Sequence, residues 1–127
     1  MGACEKDDEI GKVVVDAAFK VHRELGPGLL EKVYEACLEY ELKSRGLRVA
    51  RQVAVPIQYA DINFDEGFRL DLLVENRVIV ELKATEKANP LWQAQIISYL
   101  KLANKQLGFL INFNTPLFKQ GIQRFSL

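Results

Sequence analysis

Two neighbouring stretches, Phe68 to Val74 and Val78 to Ala84, constrain this chain more than anything else in it, because each is mostly apolar at odd and even positions alike. A strand that turns apolar side chains to both faces must be covered on both, so the pair reads as the middle of a sheet with helices packed on it. Only Glu75-Asn76-Arg77 separates the two runs, and they form a hairpin. The remaining elements arrange themselves around that centre. Asp8 to Glu24 carries Ile10, Val13, Val14, Ala17, Ala18 and Val21 at helical spacing and stops at Gly26-Pro27-Gly28. A second helix, Leu29 to Ser44, ends before Gly46. Val49 to Tyr59 alternates as a strand, with Pro56 marking an edge or a bulge, and Ala60 to Gly67 reads as a polar turn. Asn89-Pro90 opens a third helix that runs to Asn104, Leu107 to Phe113 is a further strand, and Ile122 to Leu127 adds a short last one. The order ααβββαββ predicts an α/β fold with a mixed sheet flanked by helices.

A chain of 127 residues fits one domain, 1–127, and 49% hydrophobic with 27% charged residues suits a packed core. Two cysteines, Cys4 and Cys37, give neither a disulfide framework nor a cysteine metal site. The stretch from Met1 to Leu25 contains no signal-like apolar core and no membrane span, so a cytoplasmic location is expected. Seventeen basic residues balance seventeen acidic ones, which weighs against a protein that merely coats a polyanion.

Asp71 interrupts the first apolar run, and Glu81 and Lys83 interrupt the second. A carboxylate without a partner is costly to bury, so these charges need a counter-ion or a metal. With a three-residue loop, Val74 faces Val78, and counting outward sets Asp71 opposite Glu81, their Cβ atoms about 5 Å apart. Lys83 lies two residues beyond Glu81 and shares its face. Two facing carboxylates suit Mg²⁺, a hard ion that takes one or two of them and keeps several waters. The chemistry that follows is phosphodiester hydrolysis, with Lys83 beside the attacking water. The alternative is an ion pair of Lys83 with Asp71 or Glu81 that only neutralises a buried edge.

Further polar residues fall near apolar faces. Gln95 sits among Trp92, Ile96 and Tyr99 on the expected inward face of the third helix, where its amide needs a partner and Tyr99 is one turn away. It either positions catalytic groups or is a satisfied packing contact. Glu31 flanks the stripe of Tyr34 and Leu38, and its place near a helix start also fits a dipole role. His22 suits the end of the first helix, where the dipole favours a protonated ring. Lys43, Arg45, Arg48 and Arg51 form a basic stretch that either meets phosphates or is a solvated helix end.

Taken together these residues resemble the small GxxExxY proteins of the PD-(D/E)XK nuclease superfamily. The signature stands as Gly28-Leu29-Leu30-Glu31-Lys32-Val33-Tyr34, after His22-Arg23-Glu24-Leu25-Gly26-Pro27. Asp71, Glu81-Leu82-Lys83, Gln95-Ile96-Ile97-Ser98-Tyr99, Gly108 through Phe113, and Gly121-Ile122 follow in order, so the likeness covers nearly the whole chain. It implies a restriction-endonuclease-like αβββαβ core with an extra N-terminal helix and a short C-terminal strand. It also implies Asp71, Glu81, the Leu82 carbonyl and Glu31 as metal ligands, Lys83 as the catalytic lysine, and Gln95 with Tyr99 as a supporting motif. Trp92 departs from the pattern, standing where many members carry histidine.

The expected function is a Mg²⁺-dependent nuclease, with Mn²⁺ able to substitute, acting on DNA in repair, defence or mobile-element processing. The competing reading is a nucleic-acid-binding or assembly module that keeps the fold without turnover, as a homodimer or a subunit of a larger complex. Hydrolysis of a free nucleotide is disfavoured, because Gly26-Pro27-Gly28 does not match a phosphate-cradling loop.

Overall fold

The structure is a computed structural model and describes residues 3–127. Helices α1 (Glu5–Leu25) and α2 (Glu31–Ser44) precede strands β1 (Val49–Tyr59), β2 (Ile62–Val74) and β3 (Val78–Lys83). Helix α3 (Leu91–Leu102), β4 (Leu107–Asn112), a 3₁₀ turn at Phe118–Gln120 and β5 (Ile122–Ser126) complete the chain. The five strands lie in the order β1-β2-β3-β4-β5. All neighbours are antiparallel except β3 and β4, which are parallel and therefore need the α3 crossover. This is a restriction-endonuclease-like arrangement with the added N-terminal helix and C-terminal strand, as the sequence implied. No helix among the described residues is long and apolar enough to cross a membrane.

The two faces of the sheet are covered differently. Ile10, Val14, Ala17, Ala18 and Val21 of α1 and Tyr34, Leu38 and Leu42 of α2 are buried against Leu72, Val74, Val78, Val80 and Leu82 and against alternate residues of β4. On the other face Ile79, Leu70, Val55 and Leu100 form a much smaller cluster, bordered by Phe68, Tyr99 and Phe125. Alternate residues of β3 and β4 thus enter the α1/α2 core, while on the other face Ile79 joins the smaller cluster and Glu81, Lys83 and Asn112 are the polar exceptions.

Several boundaries differ from expectation. Ala60 to Gly67 is not a turn, because β2 begins at Ile62, and the chain reverses through Ala60-Asp61 with Tyr59 paired to Ile62. Residues 56 to 67 form the outer part of a two-stranded arm in which Tyr59, Ile62 and Phe64 are exposed. No described residue outside the arm covers it, so burial imposes no apolar pattern there and the start of β2 looks like a turn in the sequence. Helix α2 begins at Glu31, after Leu30, and α3 begins at Leu91 with the Asn89 side chain accepting the Leu91 N–H at 2.9 Å.

Within the β1–β2 pair both strands change phase. Leu72 and Val74 join the α1/α2 core, yet Phe68 and Leu70, of the same parity, face the α3 side. An unbroken strand would send all four the same way. Pairing runs Arg51 with Leu72 and Val53 with Leu70, passing over Gln52 and Asp71, and Gln52 adopts φ 51°. The sheet is therefore kinked at the residue where the first acid stands.

Candidate active site

The hairpin register is the one the loop length predicted: Val74 pairs with Val78, Leu73 with Ile79 and Leu72 with Val80. Regular pairing stops there, one step short of Asp71 and Glu81. Beyond that point the two acids bind the backbone themselves. Glu81 Oε2 accepts the Asp71 N–H at 2.9 Å, and Asp71 Oδ2 accepts the Leu82 N–H at 2.8 Å. Each carboxylate thus keeps one oxygen engaged by the main chain and one turned to other partners. For Asp71 that second oxygen, Oδ1, lies 3.4 Å from Gln52 Nε2.

The electrostatics reflect this crowding. Glu81 is 5% exposed, and burial first, then the neighbouring Asp71 charge, push its carboxyl up to about 8. Burial also raises the Asp71 carboxyl and Glu35 adds to the rise, while the Leu82 N–H, Lys83 and Gln52 oppose it. Glu31 is exposed at the start of α2 but close enough to protein that desolvation, followed by Asp71, raises its carboxyl; Lys83 acts against them. Desolvation, then Glu81 and Asp71, raise the Tyr99 hydroxyl. The mutual influence of Glu31, Asp71, Glu81, Lys83 and Tyr99 brings five of the sequence-derived positions into one electrostatic neighbourhood.

Lys83 forms no ion pair with either acid within 4.0 Å; its Nζ lies 5.5 Å from the centre of the Trp92 ring. The neutralising ion pair that competed with a functional reading is therefore not formed among the described residues. Tyr99 stacks on Phe68 with centroids 4.3 Å apart.

Gln95 departs from expectation. It is exposed, and its amide makes no hydrogen bond to Tyr99. Only Ile96 and Leu100 of α3 are fully buried, so the helix rests on a narrower stripe than the periodicity suggested and Gln95 lies outside it. Nor is Glu31 gathered with other acids, since no group of three or more His, Cys, Asp or Glu side chains among the described residues is set to hold one ion.

Tyr34 gives the glycine-glutamate-tyrosine signature a physical basis. Its hydroxyl donates to the Gly26 carbonyl at 2.6 Å and accepts the Leu29 N–H at 3.1 Å, while its ring stacks on Phe113 at 4.6 Å. These contacts pin the Gly-Pro-Gly turn, where Gly28 has φ 99°, a conformation that an L side chain strains to adopt. The pinned turn fixes the start of α2 and hence Glu31.

Two residues not singled out from sequence prove central. Glu35, 7% exposed, accepts hydrogen bonds from Arg51 and, at 2.8 Å, from Gln52, so that the Gln52 amide bridges Glu35 and Asp71. The one signal for Glu35 was its position four residues after Glu31, one helical turn along the same stripe. The basic stretch, in contrast, is committed internally: Lys43 pairs with Glu39, Arg45 with Asp16 and Glu41, Arg48 with Glu75, and Arg51 with Glu35 and Glu39. Each of the four thus has a carboxylate partner in this arrangement. His22 is buried rather than capping its helix in solvent, and its Nε2 lies 2.8 Å from the Thr115 carbonyl.

What this geometry offers is a set of oxygen donors. Two carboxylates on adjacent strands, each oriented by a main-chain N–H, with Glu81 destabilised as an anion by Asp71 and Asp71 by burial and Glu35, form a place where a divalent cation relieves repulsion. No curated protein and no solved structure gives a significant match to the chain. A family model described as the PD-(D/E)XK nuclease superfamily does match, over residues 8–125, from the first turn of α1 into the end of β5. The matched span contains the hairpin, its paired acids and the lysine beyond them, and the chain belongs to the PD-(D/E)XK nuclease superfamily.

Proposed function

We propose that this chain is a Mg²⁺-dependent nuclease of the GxxExxY kind that hydrolyses phosphodiester bonds in DNA, with Mn²⁺ able to replace Mg²⁺. The observation that carries the proposal is the pressing together of Asp71 and Glu81 without neutralisation by Lys83. Asp71, Glu81 and the Leu82 carbonyl would hold the ion, with Glu31 at the rim as a further acid. When bound, such an ion supplies Lewis acidity toward a phosphoryl oxygen and lowers the pKa of water.

The chain's own groups supply the rest. Lys83 hydrogen-bonds the attacking water and offsets the charge that accumulates on the phosphorus oxygens in the transition state. Gln52 and the backbone N–H groups of Asp71 and Leu82 fix the carboxylates before substrate arrives, so no ordering is needed at the moment of reaction. Gln95, exposed and without a protein hydrogen bond, is free to meet a substrate phosphate, and Tyr99 bounds the same space one turn further on.

The test is cleavage of labelled DNA and RNA by purified protein with Mg²⁺, Mn²⁺ or EDTA. DNA hydrolysis that needs the divalent ion and falls by about 100-fold or more in Lys83→Ala is the expected outcome. Undiminished cleavage by Lys83→Ala rejects the site, and binding without turnover under every metal condition favours the assembly-module reading.

A further inference from the structure

We propose that a cleft beside the candidate site holds one unpaired nucleobase next to the phosphate to be cut, which makes the substrate a single strand or a frayed end rather than an intact duplex. The inference rests on the preceding reading for the place of the phosphate. The cleft itself is a cavity of about 400 Å³ between the start of α3, β4 and the segment leading into β5. Leu110 and Asn112 line it, and they are the β4 register partners of Glu81 and Lys83. Neighbouring strands lie about 4.8 Å apart, so the cavity begins one strand away from the paired acids and the lysine.

The chemistry of the lining selects the ligand. Of its twelve residues only Glu86 is ionisable, so the lining brings no Arg or Lys charge to pair with a second phosphate. Its other functional groups are the Trp92 ring, the carboxamides of Asn89, Gln93, Asn112, Gln120 and Gln123, and the Thr115 hydroxyl, which donates to the Leu117 carbonyl. A flat aromatic face with uncharged donors and acceptors around it matches a nucleobase, which has a π-face and a mixed donor and acceptor edge.

Hydrogen bonding within the protein leaves part of this set unused. Asn112 is spent on Thr85 and Asn114. Gln93 Nε2 donates to Gln123 Oε1 at 3.2 Å, leaving Gln93 Oε1 as an acceptor and Gln123 Nε2 as a donor. Asn89 and Gln120 use their oxygens on the Leu91 and Leu117 N–H groups, which leaves two further amide donors. Close closure of the cleft wall depends on Gly121, where a Cβ would fall 2.0 Å from the Asn112 carbonyl oxygen. Trp92 belongs to both places, lining the cleft and lying 5.5 Å from Lys83 Nζ. A base in a duplex has its faces stacked and its pairing edge engaged, so only an unpaired base can present both to Trp92 and the amides.

Trp92 is the one tryptophan of the chain, so its fluorescence reports on this cleft directly. Titration with a short single-stranded DNA oligonucleotide in EDTA, where nothing is cut, is expected to quench the emission to saturation, while a blunt duplex of the same sequence quenches little. By anisotropy of a labelled single strand, Trp92→Ala binds about 5- to 150-fold more weakly, the range for loss of one base-aromatic stack, and Trp92→Phe retains most of the affinity. Absence of quenching in the unaltered protein, or equal single-strand affinity in Trp92→Ala, overturns the inference. Quenching without metal-dependent cleavage leaves the base cleft standing and removes the nuclease reading. Metal-dependent cleavage with no quenching, at a rate unaltered by Trp92→Ala, does the reverse.

Discussion

The two faces of the sheet divide the work of the molecule between them. Among the described residues eighteen buried residues form one continuous apolar cluster on the α1/α2 side, while the cluster on the α3 side has four, with Ile96 and Leu110 buried outside it. Both acids and the lysine stand where the chain leaves the thick layer. Leu72, Val80 and Leu82 point into it, and Asp71, Glu81 and Lys83 alternate with them. Burial of carboxylates is costly, and a chain can sustain it only where other contacts stabilise the same strands. The thick face supplies that stability, and the thin face packs fewer buried residues around the charges.

Core truncation tests this division most severely. Leu38 on the thick side and Leu100 on the thin side are both 0% exposed, so their side-chain burial is the same. Leucine-to-alanine changes in cores cost about 2–5 kcal/mol, with the larger values where neighbours cannot collapse into the space. Leu38→Ala, enclosed between two helices and the sheet, is expected near the top of that range, and Leu100→Ala near the bottom. Urea unfolding of both variants measures the difference. Equal losses would mean that the faces contribute alike and that the asymmetry is one of residue number alone.

A second prediction concerns the cost of the acids themselves. Folding raises the Glu81 carboxyl to about 8, mainly by burial and then by Asp71, and it raises Asp71 and Glu31 in the same direction. The unfolded chain releases the Glu81 proton near 4.5, so from there to about pH 8 the folded form binds more protons. Metal-free stability should therefore fall as pH rises through that window, the opposite of the usual behaviour of a salt-bridged carboxylate. Glu81→Gln keeps an oxygen for the Asp71 N–H and removes the charge, and at pH 8 it should gain about 1–3 kcal/mol over the unaltered protein. Thermal melts in EDTA across pH 5 to 8 measure the slope. Mg²⁺ should recover the lost stability in the unaltered protein at pH 8 and do less in Glu81→Gln; a flat profile in EDTA would show that the pair is not strained.

The same asymmetry explains what could be read from sequence. Asp71, Glu81 and Lys83 stood out because they break apolar runs whose both faces are buried, and the hairpin register followed from loop length because slipping by one would reverse every side chain. Gln95 was misplaced because only Ile96 and Leu100 of α3 are fully buried, and a narrow stripe resembles a broad one when its flanking residues are apolar or aromatic. Ala60 to Gly67, the second half of the arm, read as a turn because exposed strands need no alternation. Glu35 was hidden in a helix rich in charge, where a glutamate held by Arg51 and Gln52 looks like any surface acid. The basic stretch looked free because two of its partners, Asp16 and Glu75, are remote in sequence.

The smallest expected effect isolates the kink itself. Gln52 has φ 51°, unfavourable for any residue with a Cβ, and from there its amide reaches both Glu35 at 2.8 Å and Asp71 at 3.4 Å. Conformational strain and hydrogen bonding therefore oppose each other at one residue, and two substitutions separate them. Gln52→Ala keeps the Cβ and loses the amide, so it should lose stability. Gln52→Gly loses the same amide but adopts this backbone without strain, and it should be more stable than Gln52→Ala by up to about 1 kcal/mol. Neither restores the bridge to Asp71, so both should lower any metal-dependent cleavage to a similar extent whatever their stabilities. If Gln52→Gly instead cleaves like the unaltered protein, the amide does not position Asp71, and the phase change of the strands is enough to place the acid.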